Sequence, residues 1–373
     1  MTNYIHDLPA WPAFEWDNAG LAGALAGLRH QQGRLPGKLE TLGFQVQQEA
    51  MLRSLTDDVQ RTSEIEGEHF RTDDVRSSVA RRLGIDIGGY RTASRHIDGV
   101  VEMLIDATSR YDQPLTAGRL FGWHTSLFPT DRPAGRADSS ATRIGAWRDD
   151  ATGPMRVISG PVGHERVHFE APAADRLDRE MSLFLEWFNT DHGVTPDPVL
   201  KAGIAHFWFV TIHPFDDGNG RIARAIADMA LARSERSPQR FYSMSGQILR
   251  ERATYYARLE QSQRGSLNIT PWLLWFMACL GRAIEASLVS LGSVLQKAQV
   301  FQSVTGAPLN ERQRLVLNRL IDGFEGHLTS SKWATMAKCS TDTALRDITD
   351  LVDRRILVRN PGAGRGTSYR LVR

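Results

Sequence analysis

The residues with the clearest chemical potential lie in one short stretch that begins at His213 and reads His-Pro-Phe-Asp-Asp-Gly-Asn-Gly-Arg-Ile-Ala-Arg. It combines an imidazole, carboxylates, a glycine loop and two guanidinium groups. A neutral imidazole can take a proton from a hydroxyl group. The carboxylate of Asp217 is a hard oxygen ligand of the kind that holds Mg²⁺ beside a polyphosphate. We therefore expect proton transfer next to a bound phosphate group.

The loop Gly218-Asn219-Gly220 has the composition of a phosphate-binding turn. Glycine permits the positive φ and the close approach of a ligand that such a turn requires. A helix that starts here would offer unpaired backbone N–H groups and the positive end of its dipole. Arg221 and Arg224 lie three apart, so both point to one side and add forked donors for phosphate oxygens. The alternative is an ordinary interhelical turn with solvated arginines, but such a turn would not require this combination of residues.

Two helices must position this stretch. Asp197 and Pro198 suit the N-cap and the first position of a helix whose mostly apolar sequence continues to Ile212. Pro214 disfavours helical geometry at His213 and ends that helix. After the loop, apolar residues recur at the spacing of an amphipathic helix, with the two arginines off the apolar stripe: Ile222, Ala225, Ile226, Met229 and Ala230. The pattern predicts a helix–loop–helix unit.

The same stretch closely resembles the signature of the Fic family, HPFx[DE]GNGRxxR, and every fixed position is matched. In that family the motif transfers AMP from ATP to a protein hydroxyl. The resemblance implies that His213 is the base and that Asp217 binds Mg²⁺. It also implies that the phosphates of ATP are bound by Gly218, Asn219, Gly220, Arg221 and Arg224. No Walker-type GxxxxGK[ST] sequence suggests a competing nucleotide site.

A second motif lies at the end of a long helical segment predicted over about residues 39–65. Its sequence, Thr62-Ser63-Glu64-Ile65-Glu66-Gly67, places Gly67 as the helix-ending residue and puts two carboxylates where the helix dipole disfavours negative charge. Two solvent-facing carboxylates are an equally good interpretation of that pattern alone. The sequence is similar to the inhibitory motif [ST]xxxE[GN] of the Fic family, matched by Thr62, Glu66 and Gly67. The resemblance implies that Glu66, and not Glu64, pairs with Arg224.

Two further segments resemble parts of the Fic core. Tyr255, Tyr256 and Gln263 are similar to a YYxxLxxxN segment that approaches the adenosine, with Gln263 replacing the more usual Asn. Adjacent tyrosines on a helix cannot both face one site, so one of them should pack in the core. Residues 155–169 predict two short strands around a Gly/Pro turn. The resemblance implies that this hairpin is a flap that binds an extended segment of the target protein by strand addition.

The predicted fold is mainly α and has three domains within 373 residues. Residues 1–105 form an N-terminal helical domain that carries the inhibitory motif. Residues 106–300 form a Fic-type helical bundle with the small β-hairpin flap, and residues 308–373 form a winged-helix-like domain. Residues 310–373 contain twelve Lys and Arg against seven Asp and Glu. This mild excess is compatible with DNA, but a protein partner fits equally well.

Composition sets limits on location and redox state. The net charge of +2 gives no argument for nucleic acid or membrane binding by the whole chain. Neither a run of eighteen apolar residues nor a signal peptide is evident, so we expect a cytoplasmic protein without a membrane partner. Cys279 and Cys339 are far apart and form no CxxC motif, which favours reduced thiols.

The resulting hypothesis is an ATP- and Mg²⁺-dependent protein adenylyltransferase that modifies a Ser, Thr or Tyr hydroxyl and releases pyrophosphate. Pairing of Glu66 with Arg224 would inhibit it. Two alternatives stay open: a Fic enzyme that removes AMP from a modified target, and a non-catalytic nucleotide-sensing regulator that binds DNA. A homodimer is also compatible with the sequence, which does not identify the target protein.

Overall fold

A computed structural model describes residues 4–40, 44–87, 89–129, 143–151, 153–161, 163–190, 197–302, 309–321, 327–360 and 367–372. The mainly helical fold is confirmed, because most of these residues lie in α-helices and the only strands among them form two small hairpins. The chain divides into two compact units. One comprises residues 1–41 and 47–287, and the other comprises residues 42–46 and 288–373.

Helices and one hairpin make up the first unit. Its elements are α1 (Asn18–Glu40), α2 (Phe44–Ile65), α3 (Thr72–Leu83), α4 (Arg95–Ser109), α5 (Ala117–Leu127), β1 (Arg156–Ser159), β2 (Arg166–Glu170), α6 (Leu177–Asn189), α7 (Pro198–Ile212), α8 (Asn219–Glu235), α9 (Met244–Arg250), α10 (Arg252–Gln263) and α11 (Thr270–Gln302), the last of which continues into the second unit. Short 3-10 helices lie at Ile5–Asp7 and Ala174–Arg176.

Helices α7 and α8 form the centre of this unit. The side chain of Asp197 caps α7 by accepting a hydrogen bond from the backbone N–H of Val199 at 2.8 Å. Helix α8 is buried on all sides from Arg221 to Ala232. The sequence predicted an amphipathic helix with its arginines off the apolar stripe. The polar side is nevertheless buried, because Thr62 on α2 and Glu66 just after it bind Arg224, while Glu68 and Phe128 cover Arg221.

Helix α11 packs against α7 through small and aromatic residues. Trp272 Nε1 donates a hydrogen bond of 2.8 Å to the carbonyl oxygen of Gly203. A Cβ at Gly203 would lie 3.1 Å from side-chain atoms of Leu273 and Phe276, so glycine permits this close approach. Residues Thr270–Val289 are long and apolar enough to cross a membrane, but 56% of that window is buried inside the protein. This burial is typical of a core helix.

One helix boundary differs from the predicted one. The helical segment predicted from residue 39 begins at Phe44, because the residues up to Glu40 belong to α1. Helices α9 and α10 are separated at Glu251, where φ is −111° and ψ is 22°. The carboxylate of Glu251 accepts two hydrogen bonds of 2.6 Å from Arg282, which stabilises the break.

The second unit contains α12 (Glu311–Ile321), α13 (Ser330–Ala337), α14 (Thr341–Asp353), β3 (Leu357–Arg359) and β4 (Tyr369–Leu371). Its core is apolar and includes Val316, Leu317, Trp333, Ile348 and Leu351. The strands are antiparallel, and Leu328 makes an additional bridge to Tyr369. Three helices followed by a hairpin is the order of elements that the sequence predicted. Membership of the winged-helix class stays a prediction.

Acidic residues of α14 form hydrogen bonds with residues at the start of α12. Asp347 accepts hydrogen bonds from Arg312 at 2.8 Å and from Asn310 at 2.9 Å. Asp350 accepts one of 2.7 Å from Gln313. These carboxylates are therefore hydrogen-bonded to groups within the second unit. Neither DNA nor protein binding follows from this packing.

Candidate active site

His213 ends α7 in the left-handed backbone conformation, with φ at 53° and ψ at 57°. This conformation is uncommon for a residue with a Cβ, and it differs from the extended backbone that a following proline favours. The ring atom Nδ1 lies 3.1 Å from the carbonyl oxygen of Val210. Because a carbonyl can only accept a hydrogen bond, Nδ1 carries the proton and Nε2 keeps its lone pair. The Nε2 atom is thus the one that can act as a base.

The environment of His213 keeps its ring neutral. Burial lowers the pKa of the imidazole to about 4, and the Arg148 guanidinium acts in the same direction. The hydrogen bond to Val210 and the carboxylates of Glu66 and Asp217 oppose this shift without cancelling it. At neutral pH the ring is therefore an unprotonated base.

Arg148 fixes the backbone around His213, although it was not among the predicted site residues. Its side chain is almost fully buried, with Nε donating to the carbonyl oxygen of His213 at 2.8 Å and Nη1 to Asp150 at 2.8 Å. Nη2 donates to the carbonyl oxygen of Pro172, and the backbone N–H of Arg148 donates to Pro214 at 2.9 Å. No spacing rule distinguishes such a buried arginine from a solvated one, so no signal in the sequence could have found it.

The loop after His213 is braced by side chains. Asn219 accepts a hydrogen bond from the backbone N–H of Phe215 at 3.0 Å and donates to its carbonyl oxygen at 2.7 Å. The ring of His124 stacks on Phe215 with centroids 4.2 Å apart. Its Nε2 lies 3.2 Å from the carbonyl oxygen of Asp217, while Nδ1 accepts from the backbone of Gly145 at 3.0 Å. The side chain of Asn219 therefore closes the loop, although the resemblance placed it among the phosphate ligands.

Both loop glycines are needed for steric reasons. Gly218 has a φ of 82°, and a Cβ there would lie 3.1 Å from the ring of Phe128. At Gly220 a Cβ would lie 2.3 Å from Oε1 of Glu66 and 3.2 Å from Nη1 of Arg224. The Glu66 carboxylate consequently sits against the first turn of α8. This is the position where backbone N–H groups and the helix dipole favour an anion.

Arg224 is held by the end of α2. Its Nη2 donates to Oε1 of Glu66 at 2.7 Å and to the carbonyl oxygen of Thr62 at 2.9 Å, and its Nε donates to Thr62 Oγ1 at 2.7 Å. Gly67 follows with a φ of 81°, which ends the helix. Glu64 instead binds Arg61 at 2.7 Å. The structure thus brings Thr62, Glu66 and Gly67 together with Arg224, and it joins Glu66 rather than Glu64 to the guanidinium.

Arg221 has different partners from Arg224. It is buried, and its Nη1 donates to Oε2 of Glu68 at 3.0 Å. Its guanidinium lies over the ring of Phe128, 5.3 Å from the centroid. Glu68 also binds Nε2 of His96 at 2.8 Å. Glu68 was missed because no sequence pattern relates it to an arginine 153 positions later.

Asp217 fits a role as a Mg²⁺ ligand that acts together with phosphate oxygens. Its side chain is 63% exposed, and its Oδ1 accepts a hydrogen bond from the backbone N–H of Gly218 at 2.6 Å. Mg²⁺ is commonly bound through one or two carboxylates plus substrate phosphates. Among the described residues, no group of three or more His, Cys, Asp or Glu could hold a metal on its own. The donor set therefore suits a metal that arrives with a nucleotide.

The three α10 residues assigned to adenosine differ in accessibility. Tyr256 is 39% exposed, while Tyr255 is buried with its hydroxyl 2.9 Å from Nε2 of His206. One tyrosine of the pair therefore packs in the core, as the helical geometry predicted. Gln263 is buried too, and its Nε2 donates to Thr211 Oγ1 at 3.3 Å. Tyr256 is therefore the exposed member of this set, and the Arg252 guanidinium lies over its ring, 5.7 Å from the centroid.

The hairpin β1–β2 spans residues 156–170, one residue beyond the end of the predicted segment 155–169, and it is anchored at the end of α10. Arg264 Nη2 donates to the carbonyl oxygens of Val167 and His168, both at 2.9 Å. The two strands pair with each other in a two-stranded sheet, so each has an outer edge without a neighbouring strand among the described residues. Ile158 on β1 is 54% exposed. These edges have the backbone groups that strand addition requires.

Comparison with known proteins assigns two parts of the chain. Residues 114–231 match the Fic/DOC family, and residues 4–85 match a domain of unknown function, DUF4172. A protein adenylyltransferase Fic from Nematostella vectensis is 33% identical over 121 residues, which are 32% of this chain and 26% of that protein. The protein adenylyltransferase fic-1 of Caenorhabditis elegans is 37% identical over 100 residues, which are 27% of this chain and 18% of that protein. The similarity thus spans only a small part of either relative.

Two solved structures share the fold over a larger part of the chain. A Fic family protein from Desulfovibrio desulfuricans G20 has a TM-score of 0.51 at 20% identity and covers 94% of this chain and 96% of its own. A Fic domain containing signaling protein from Bacteroides thetaiotaomicron VPI-5482 has a TM-score of 0.51 at 18% identity. This match covers 72% of this chain and 97% of the Bacteroides chain. At these identities the likeness concerns the fold alone. The sequence match to the Fic/DOC family covers residues 114–231, a segment that includes the glycine loop between α7 and α8.

Proposed function

We propose that this protein is an adenylyltransferase that transfers AMP from ATP to a hydroxyl group of a target protein. The observation that carries the proposal is the juxtaposition of His213 with the anion position at the start of α8, where Glu66 now lies. A neutral base beside such a position suits attack by a hydroxyl on a bound phosphate group. Relatives of the same domain are named protein adenylyltransferases.

His213 is the base in this reaction. Its free Nε2 accepts the proton of the acceptor hydroxyl while that oxygen bonds to the α-phosphorus of ATP and the bond to pyrophosphate breaks. Arg148 positions the ring indirectly, because it holds the His213 carbonyl oxygen at 2.8 Å. A positioned base typically contributes on the order of 10² to 10⁴ in rate.

The loop and α8 bind the phosphates. Their donors are the backbone N–H groups after Gly218 and the guanidinium of Arg224, whose Nη1 is buried without a hydrogen-bond partner among the described residues. Asp217 would hold Mg²⁺, and the metal when bound neutralises charge on the leaving pyrophosphate. Arg221 contributes less directly, since its Nη1 already binds Glu68.

Autoinhibition follows from the Glu66–Arg224 pair. A guanidinium that binds Glu66 and Thr62 cannot also bind the γ-phosphate, so ATP would bind with its phosphates displaced. A displacement of about an ångström can cost on the order of a hundredfold in rate. We infer that the wild-type protein is held in a low-activity state by this carboxylate.

The hairpin β1–β2 supports docking of an extended segment of the target, because its outer strand edges have no neighbouring strand among the described residues. Strand addition recognises backbone more than side chains, so it fixes a hydroxyl without demanding much sequence. We further infer a cytoplasmic location, with which the free Cys279 and Cys339 are compatible.

The experiment that tests the function compares two labels of ATP. Wild type and Glu66→Gly are incubated with Mg²⁺ and a cell lysate, and labelled proteins are identified. With α-labelled ATP, proteins should acquire label, most strongly with Glu66→Gly. With γ-labelled ATP they should not, because pyrophosphate leaves. Label only from γ-labelled ATP would indicate phosphoryl transfer and contradict the proposal. Loss of AMP from a modified target, without incorporation by either protein, would favour the reverse reaction.

A further inference from the structure

A second cluster of side chains, outside the His213 loop, forms a chain of hydrogen bonds between the hairpin and α10. Oγ of Ser159 lies 2.6 Å from Nε2 of His168, and Nδ1 of His168 lies 2.8 Å from Oε2 of Glu260. An ionised carboxylate can only accept, so Nδ1 donates to Glu260 and Nε2 accepts the proton of the Ser159 hydroxyl. Nucleophile, base and orienting carboxylate thus stand in the order that activates a serine.

A β-bulge creates this arrangement. Val157 pairs with Phe169 and Ile158 pairs with Val167, which leaves His168 without a partner on β1. A bulge redirects the side chain of the extra residue. Here the ring reaches Ser159 on the neighbouring strand with one nitrogen and Glu260 on α10 with the other.

Glu260 is held in its ionised form. Burial opposes ionisation, but hydrogen bonds from His168 and Arg166 outweigh it and lower the pKa of this carboxyl. Arg166 Nη2 lies 3.0 Å from Oε1, and Arg264 Nη2 lies 3.6 Å from the same oxygen. The carboxylate therefore remains an acceptor that can stabilise a protonated His168.

The chain of three residues lies beside the proposed nucleotide site. Glu260 follows Tyr256 by one helical turn on α10, so the two side chains are neighbours on one face. The Tyr256 ring is close enough to Glu66 that this carboxylate, second to burial, raises the pKa of its hydroxyl. Ser159 is exposed at the end of β1.

We propose that Ser159 is an activated acceptor hydroxyl at which the protein adenylylates itself; this rests on the proposed function. Oγ of Ser159 forms a bond to the α-phosphorus of ATP, and the bond from that phosphorus to pyrophosphate breaks. The hydroxyl proton passes to Nε2 of His168, and Glu260 stabilises the resulting imidazolium. The products are an AMP phosphodiester on Ser159 and free pyrophosphate.

The first test maps the modification. Glu66→Gly is incubated with ATP and Mg²⁺, digested, and examined by mass spectrometry. AMP is expected on Ser159, and Glu66→Gly combined with His168→Gln or Glu260→Gln should reduce its occupancy at least tenfold. Ser182 is the matched control, because it is also exposed but donates to the carbonyl oxygen of Asp178 and has no histidine partner. It should stay unmodified.

The second test needs no nucleotide. A fluorophosphonate probe, which reacts with activated serine hydroxyls, should label Ser159 in wild type and fail to label it in His168→Gln and Glu260→Gln. An unreactive Ser159 in the wild-type protein would overturn the inference. So would AMP on lysate proteins or on other residues of the chain while Ser159 stays free, and that result would leave the proposed function standing. Absence of AMP from every protein would overturn both.

Discussion

Oε1 of Glu66 lies 2.7 Å from Nη2 of Arg224, although the two residues are 158 positions apart in the chain. The same carboxylate oxygen lies against Gly220, where any larger residue would displace it. Thr62, one turn earlier on α2, accepts a second hydrogen bond from Nη2 with its carbonyl oxygen and one from Nε with its hydroxyl oxygen. The residues at the end of α2 therefore occupy the proposed phosphate position and engage Arg224, the proposed phosphate ligand.

Removing the carboxylate should activate the enzyme. Glu66→Gly is expected to raise AMP incorporation from α-labelled ATP at least tenfold, because it frees Arg224 to align the phosphates. Glu66→Asp should fall between the two, since its shorter side chain reaches the guanidinium poorly. Arg224→Ala should stay inactive in either background. Equal time courses for wild type and Glu66→Gly would remove the basis for autoinhibition.

Glu64→Gly is the matched control for that comparison. It places the same substitution in the same helical turn, but its carboxylate binds Arg61 at 2.7 Å and not Arg224. We expect its labelling rate to equal that of wild type. Activation by Glu64→Gly as strong as that by Glu66→Gly would indicate general loosening of the helix end.

Removing the imidazole of His213 should lower the rate of AMP transfer without changing the affinity for ATP. In the Glu66→Gly background, His213→Ala should reduce transfer by about 10² to 10⁴ while ATP affinity, measured by calorimetry, is unchanged. His30→Ala, on the exposed side of α1, is the control that should keep full activity. Near-normal labelling by His213→Ala would end the assignment of the base.

The pH dependence should reflect the low pKa of His213. Because burial lowers this pKa from 6.5 to about 4, the ring stays unprotonated when the pH falls from 7 to 5. Transfer by Glu66→Gly should therefore not lose the base over this interval, and the acid decline from His213 should begin only near pH 4. An acid limb centred near the ordinary value of 6.5 would contradict the proposed environment of the ring.

Asp217→Ala should give very low activity that does not respond to added Mg²⁺, since the metal neutralises charge between the phosphates. The neighbouring carboxylate supplies the control. Asp216 accepts a hydrogen bond from the backbone N–H of Arg143 at 2.8 Å, so Asp216→Ala should retain Mg²⁺ dependence. Full activity of wild type in EDTA would exclude the metal from the reaction.

A buried carboxylate on α2 should make stability depend on pH. Burial, followed by the charge of Asp228, raises the pKa of Asp58 from 3.8 to about 7. The folded state then binds the proton more tightly than the unfolded state. Its contribution to the free energy of unfolding is full below about pH 4 and is lost as the pH rises to 7, with a slope of up to about 1.4 kcal/mol per pH unit.

Asp58→Asn should show a shallower decline of unfolding free energy between pH 5 and 8, measured by urea denaturation. The amide oxygen can still accept from Ser243 and from the backbone of Ser245, as Asp58 does. Asp57→Asn is the control, because its carboxylate is partly exposed and bound to Arg61. Identical pH dependence of wild type and Asp58→Asn would contradict the shifted pKa.

Local rules explain what could be predicted from the sequence. The end of α7 at His213, the start of α8 and the turn at Gly67 depend on proline, glycine and capping preferences within a few residues. The motif resemblance supplied the pairing of Glu66 with Arg224. Arg148 and Glu68 escaped detection because their partners are remote in the chain and their own neighbours form no pattern. His168 depends on a bulge, which a strand pattern does not reveal.

Several expectations remain predictions. These are the division into domains at residues 105, 300 and 308, docking of the target on residues 155–169, the winged-helix assignment, a homodimer and the cytoplasmic location. None follows from the contacts within one chain, because each concerns a partner, an assembly or a cellular setting.

The way α2 ends also determines how fast the inhibition can be lifted. Thr62 is fully buried, whereas the Glu66 side chain is 30% exposed and precedes the helix-ending Gly67. Breaking the contact between Glu66 and Arg224 needs rotation about side-chain bonds only, and exposed side chains change rotamer in picoseconds to nanoseconds. Such rotations are much faster than unfolding of a helix, while Thr62 keeps its own hydrogen bonds to the guanidinium. Under the proposed autoinhibition, the protein would exchange continuously with a small population in which Glu66 is displaced, and the rotamer equilibrium of this one residue would set the basal rate.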